Sequence, residues 1–281
     1  MGTSTSSSGP GKDVPFDPPW LDPLVEEIEN PSEQTPEESD EENETQAEED
    51  QSQPVEIAPH GRFGSARRYL GEYLQSGDEN SLVKSLGSYS RKGMGGAANL
   101  SRRMRASTSV GAGLFNFLQD VRDGSTPKVQ EWIHQLSAQN LSAQELTDEI
   151  IEQVLSTGGS LDEESCRDSM SQAMSDLLIR YPDVDLLKMN DDSIWTVMEF
   201  FIANEALNRI FLDIGQVFES ARVSPQEAVF RMNDMREYLK AEVSAQLQEV
   251  RKNTKAATTA ELNNILQSAL RITFEIFEGE I

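Results

Sequence analysis

The chain has 281 residues, with 24 Lys and Arg against 49 Asp and Glu, for a formal net charge of -25. That balance favours solubility and argues against a general polyphosphate-binding surface. Cys166 is the only cysteine, so an internal disulfide is excluded and a reducing compartment fits. The sequence shows no basic-then-apolar leader and no run near the roughly 18 apolar residues of a membrane span, so a cytoplasmic protein without a membrane partner is expected.

The charge is unevenly spread. Residues 1–58 hold 17 acids and a single base, Lys12, for a net of -16, whereas residues 59–110 hold nine bases and three acids. Residues 1–58 are poor in hydrophobics and rich in Pro, Glu, Ser and Gln, which predicts a disordered acidic tail. Its first segment, 1–12, opens "MGTSTS". Gly2 follows the start Met1, which is normally trimmed before so small a residue, and Thr3, Ser4, Thr5 and Ser6 come next. The stretch fits the N-myristoylation pattern, but no polybasic segment follows to support so weak an anchor. Segment 14–28 stands apart: "VPFDPPWLDPLVEEIE" sets Phe16 and Trp20 around Pro18 and Pro19, as in short linear motifs that dock in a groove. The groove could belong to a partner or to the chain's own domain, or the segment could have no role. A self-repelling acidic linker completes the tail.

From residue 59 to 281 the apolar spacing is helical. Phe63, Ala66, Leu70 and Tyr73 step by three or four, as do Leu82, Leu86 and Tyr89. Four Ser/Thr-x-x-Glu capping boxes mark helix starts at Ser142, Ser160, Ser224 and Thr258, and Pro225 suits a first helical position. The stretch "DDSIWTVMEFFIANEALNRIFLDIGQVFESA" is apolar around most of its circumference and predicts a central buried helix. No alternating run of β-formers competes. The expectation is a single all-α domain.

The chemistry of an enzyme is hard to find. His60 falls in a linker and His134 in "VQEWIHQL", a surface or half-buried helical position; with Cys166 they are too scattered for a zinc site or a nucleophilic triad. "GPGK" at Gly9 lacks the spacer, the Ser or Thr, and the flanking strand of a phosphate loop. Paired acids such as Glu163 and Glu164 suit helix N-termini. No catalytic residue, metal or cofactor is expected. What remains is the Gly/Arg-rich block 88–113, with Arg91, Lys92, Arg102, Arg103 and Arg105 and no acid between Glu79 and Asp120. Gly93, Gly95 and Gly96 would let an anion approach the backbone closely. The block reads as a nucleic-acid or nucleotide contact, as a dock for an acidic surface, or as a solvated helical face.

Taken together, "MGTSTSSSGPG", "VPFDPPW", "APHGRFGSARRYLGEYLQSGDENSLVKSLGSYSRKGMGG", "LSRRMRAS" and "ITFEIFEG" resemble the QatB family of the bacterial Qat anti-phage defence system. The likeness covers the first twenty residues, residues 59–118 and the C-terminal helix. It implies company: an ATPase (QatA), a QueC-like enzyme (QatC) and a TatD-like DNase (QatD). QueC-like enzymes activate a carboxylated deazaguanine with ATP and pass the acyl group to an amine. The resemblance then makes Gly2 the acceptor, with Thr3, Ser4, Thr5 and Ser6 as recognition peptide and Phe16, Pro18, Pro19 and Trp20 as a second contact. An α-amine with a pKa of about 7.7–8.0 is partly nucleophilic at neutral pH, unlike a Lys near 10.4. A flexible tail of about 57 residues would give it a reach on the order of 40 Å. Two other functions stay open: a nucleic-acid-binding adaptor working through the basic block, and a purely structural subunit.

Overall fold

In the computed structural model the described residues are 58–139, 141–155, 161–253 and 258–281. The whole of segments 1–12 and 14–28, including Gly2, Thr3, Ser4, Thr5, Ser6, Phe16, Pro18, Pro19 and Trp20, lies outside them, as does the Ser160 cap. The chain divides into two units. Of the unit Ser8–Arg62, only 58–62 are described, entering a turn at Gly61, whose positive φ of 68° suits a residue without Cβ.

The other unit contains Phe63–Ile281 and, among the described residues, is built wholly from helices, as the periodicity predicts. In chain order they are α1 (Gly64–Ser76), α2 (Glu79–Ser88), a π-helical turn (Tyr89–Met94), α3 (Ala97–Arg103), α4 (Arg105–Asp123), α5 (Pro127–Ser137), α6 (Ala143–Val154), α7 (Leu161–Arg180), α8 (Asp191–Ile214), α9 (Gln216–Ser220), α10 (Pro225–Asn253) and α11 (Thr259–Gly279).

Two helices organise the packing. α8 lies against α4, α7 and α10, so it buries side chains on nearly every side, from Ile194 through Phe201 and Leu207 to Ile214. Contact on several faces is why its sequence shows no polar stripe. α11 is the second hub, packed on α2, α3, α4 and α10 through Leu262, Leu266, Leu270, Phe274 and Phe277. The aromatic stack Phe63–Tyr89, at 5.6 Å between ring centroids, continues to Phe274 at 6.5 Å, tying α2 and its π-turn to α11. Each such side chain, fully buried, contributes roughly 1.5–3 kcal/mol against its exposed state.

The helix starts follow local chemistry. Ser142 and Thr258 each form a full capping box: the hydroxyl accepts from the backbone N–H of Glu145 or Glu261, whose carboxylate accepts in return from the cap N–H. Ser224 makes half of one. Its Oγ accepts from the Glu227 N–H at 3.1 Å, but the Glu227 carboxylate turns to Arg231 at 2.7 Å. The long apolar stretch predicted as one helix divides at Gly215 into α8 and the short α9.

Candidate functional site

The basic block 88–113 becomes a shoulder made of the π-turn, α3 and the start of α4. After Ser88 the helix widens for one turn and ends at Gly95 and Gly96, with φ of 81° and 105°. These two glycines turn the chain into α3, and an L-residue there would be strained. Gly93 has a different reason. A Cβ on it would stand 2.5 Å from the Phe63 ring, so its absence lets the π-turn close on that ring. The glycine expected to face an anion is a packing glycine.

The five basic residues do not share one environment. Arg91 and Lys92 are exposed on the π-turn, and Lys92 Nζ donates to Ser65 Oγ at 3.4 Å. Arg102 is half-buried and donates to Asn99 Oδ1 at 3.1 Å. Arg103 is half-buried, with Nη1 on Met94 Sδ at 3.6 Å, while Arg105 is half-buried at the first residue of α4.

Arg103 points into a charged junction that sequence reasoning missed. Tyr89, almost fully buried, donates from its hydroxyl to Asp213 Oδ2 at 2.7 Å. Asp213 also receives Arg209 Nε at 3.7 Å, and its backbone carbonyl accepts from Arg67 at 3.0 Å. Burial, then the neighbouring Asp213 charge, pushes the Tyr89 phenol well above its usual value. Burial, then the neighbouring Arg209, pulls Arg103 down from the usual guanidinium range. Next to it, Arg103, Ser107, Ser165, Glu205 and Arg209 line a cavity of about 20 Å³, enough for about one water.

Below this cavity Glu205 is 4% exposed, accepting from Ser165 at 3.0 Å, Ser169 at 2.6 Å and Cys166 Sγ at 3.7 Å. Burial, followed by that carboxylate, pushes the Cys166 thiol upward, the opposite of what a reactive thiolate needs. His60 and His134 are both exposed, and no cluster of three metal-ligating side chains occurs among the described residues. No described helix is long and apolar enough to cross a membrane. A sequence signal does exist for the buried polar groups of α8: Glu199, Asn204 and Glu205 break its hydrophobic run, and all three are buried.

The described residues thus define an all-helical protein whose buried polar groups tie helices to one another around a basic shoulder. A family model described as Qat anti-phage system associated protein QatB matches residues 95–277, from the first of the paired glycines through nearly all of α11. The chain belongs to the QatB family and is a component of the Qat anti-phage system. No curated protein and no solved structure is matched by the chain.

Proposed function

We propose that this protein is a non-enzymatic, cytoplasmic subunit of the Qat system that presents Gly2 to QatC for ATP-dependent, deazaguanine-type modification. The observation that carries the reading is membership of the QatB family, joined to an N-terminal "MGTSTS" whose Gly2 offers the least hindered α-amine a chain can have. In the step proposed, the carboxylate of the deazaguanine substrate of QatC attacks the α-phosphate of ATP, forming an acyl adenylate and releasing pyrophosphate. The neutral Gly2 amine attacks the acyl carbon, the new C–N bond forms, the acyl–phosphate bond breaks, and AMP and the amine proton leave. Thr3, Ser4, Thr5 and Ser6 line the entering peptide, and Phe16, Pro18, Pro19 and Trp20 hold it by a second contact that raises its effective concentration. The helical domain is the anchor of the tail, in company with QatC and with QatA and QatD of the same system.

Intact mass and N-terminal peptide mapping test this on the full chain produced with and without active QatC. A mass gain on the Gly2 peptide is expected only with QatC and ATP, and Gly2→Pro is expected to abolish it while the helical circular dichroism stays unchanged. An unmodified Gly2 in both preparations overturns the reading.

A further inference from the structure

A groove of about 460 Å³ lies where α2, the middle of α10 and the end of α11 meet. Its floor is apolar. Val83 and Tyr238 are half-buried, Tyr238 stacks on Phe277 at 6.0 Å between centroids, and Ile276 keeps 39% of its surface exposed. Its rim is acidic: Glu79 from α2, Glu242 from α10 and Glu280 after α11, against Lys84 as the one cation lining it. The three carboxylates come from three separate elements, and none is ion-paired among the described residues.

A second observation gives the same sign. A helix C-terminus carries partial negative charge and favours cations, yet the last turn of α11 holds no basic residue. Glu278 and Glu280 stand there instead, and Glu278 is taken up by the Ser90 hydroxyl at 2.6 Å. The end of α11 and Glu280 therefore bring negative charge to the groove with no basic residue in that turn to offset it. The Tyr238 phenol feels the same field: burial first, then Glu242, Glu79 and Glu280, pushes its ionisation up, so the hydroxyl stays neutral beside the carboxylates.

We infer that the α2–α10–α11 groove docks a basic, amphipathic segment of a partner protein, with a Lys or Arg head among Glu79, Glu242 and Glu280 and apolar groups on Ile276, Val83 and the Tyr238 ring. The volume matches a few side chains, not an extended surface. The aliphatic stem of a Lys or Arg lies on the apolar floor while its charge reaches the rim. This docking goes beyond the Gly2 reading and stands or falls separately from it.

The test uses the full chain and a fluorescent, acetylated six-residue peptide of alternating lysine and leucine, followed by anisotropy. Because the chain is strongly acidic, site binding must be separated from diffuse attraction. E79Q/E242Q/E280Q is expected to weaken binding about tenfold, as expected if each partly exposed pair contributes a few tenths to one kcal/mol. E72Q/E131Q/E249Q removes the same charge elsewhere and is expected to leave binding within about twofold. Carbodiimide cross-linking, with peptide mapping, should place the probe's lysines on Glu79, Glu242 or Glu280. Equal weakening by the two triple variants, cross-links scattered over other acids, or no binding by the unsubstituted chain would each overturn the docking site.

Discussion

Tyr89 shows how one buried hydroxyl can join distant parts of the chain. Its ring fills the space between Phe63 and Phe274, while its oxygen reaches Asp213 on α8. Tyr89→Phe keeps the ring and leaves the half-buried Asp213 carboxylate without its closest donor, which costs about 1–2 kcal/mol near neutral pH. The pH dependence has a definite sign. The folded phenol titrates above its unfolded value of about 10, so its stabilisation is complete below that pH and is lost as pH rises beyond it. Urea unfolding of both proteins from pH 7 to 11 should therefore show a gap that narrows above about pH 10. A gap that widens there would mean that Asp213, not the neutral phenol, dominates the site.

At the scale of elements, contact between α2 and α11 depends on a missing side chain. A Cβ on Gly87 would stand 2.3 Å from the backbone carbonyl oxygen of Phe277, and neither backbone can yield cheaply. Gly87→Ala is expected to destabilise by about 2 kcal/mol or more. Gly113→Ala, in α4 with nothing within 4 Å of the new methyl, is expected to stabilise by about 0.5–1 kcal/mol. Thermal melts of the two variants should move in opposite directions. The helices themselves were legible in the sequence, because Phe63, Ala66, Leu70 and Tyr73 all face inward as their spacing requires. So were the caps at Ser142 and Thr258, whose chemistry is local. The π-turn was not, since the period of 3.6 that reveals α-helices has no counterpart over six residues. Nor was the junction of Tyr89, Arg103, Arg209 and Asp213, which joins residues more than a hundred positions apart. Within the basic block, composition revealed the charge. It could not reveal that Arg102 and Arg103 turn to Asn99 and Met94.

For the molecule as a whole, the family match starts at residue 95, but the folded unit does not. α1, α2 and the π-turn supply Leu70, Tyr73, Leu82, Leu86, Tyr89 and Met94 to the same core that α11 enters with Phe274 and Phe277. A chain of residues 63–281 should keep the full helical signal and one cooperative urea transition, whereas residues 95–281 should lose cooperativity because one side of α11 is stripped. Cooperative unfolding of the shorter chain would show that α1 and α2 are an accessory layer. The π-turn has a further consequence, for descent. An i→i+5 turn holds one residue more than the α-helix it interrupts. Loss of a single codon within 89–94 could thus be absorbed by reverting to regular α-helix, with hydrogen bonding intact. Residues beyond the deletion would keep their facing, because the widened turn already houses the extra residue, and only the exposed Arg91–Lys92 pair within it would be re-aimed. In lineages, this segment would act as a slack link, taking up or giving back one residue and re-aiming the charged pair while the core on either side keeps its place.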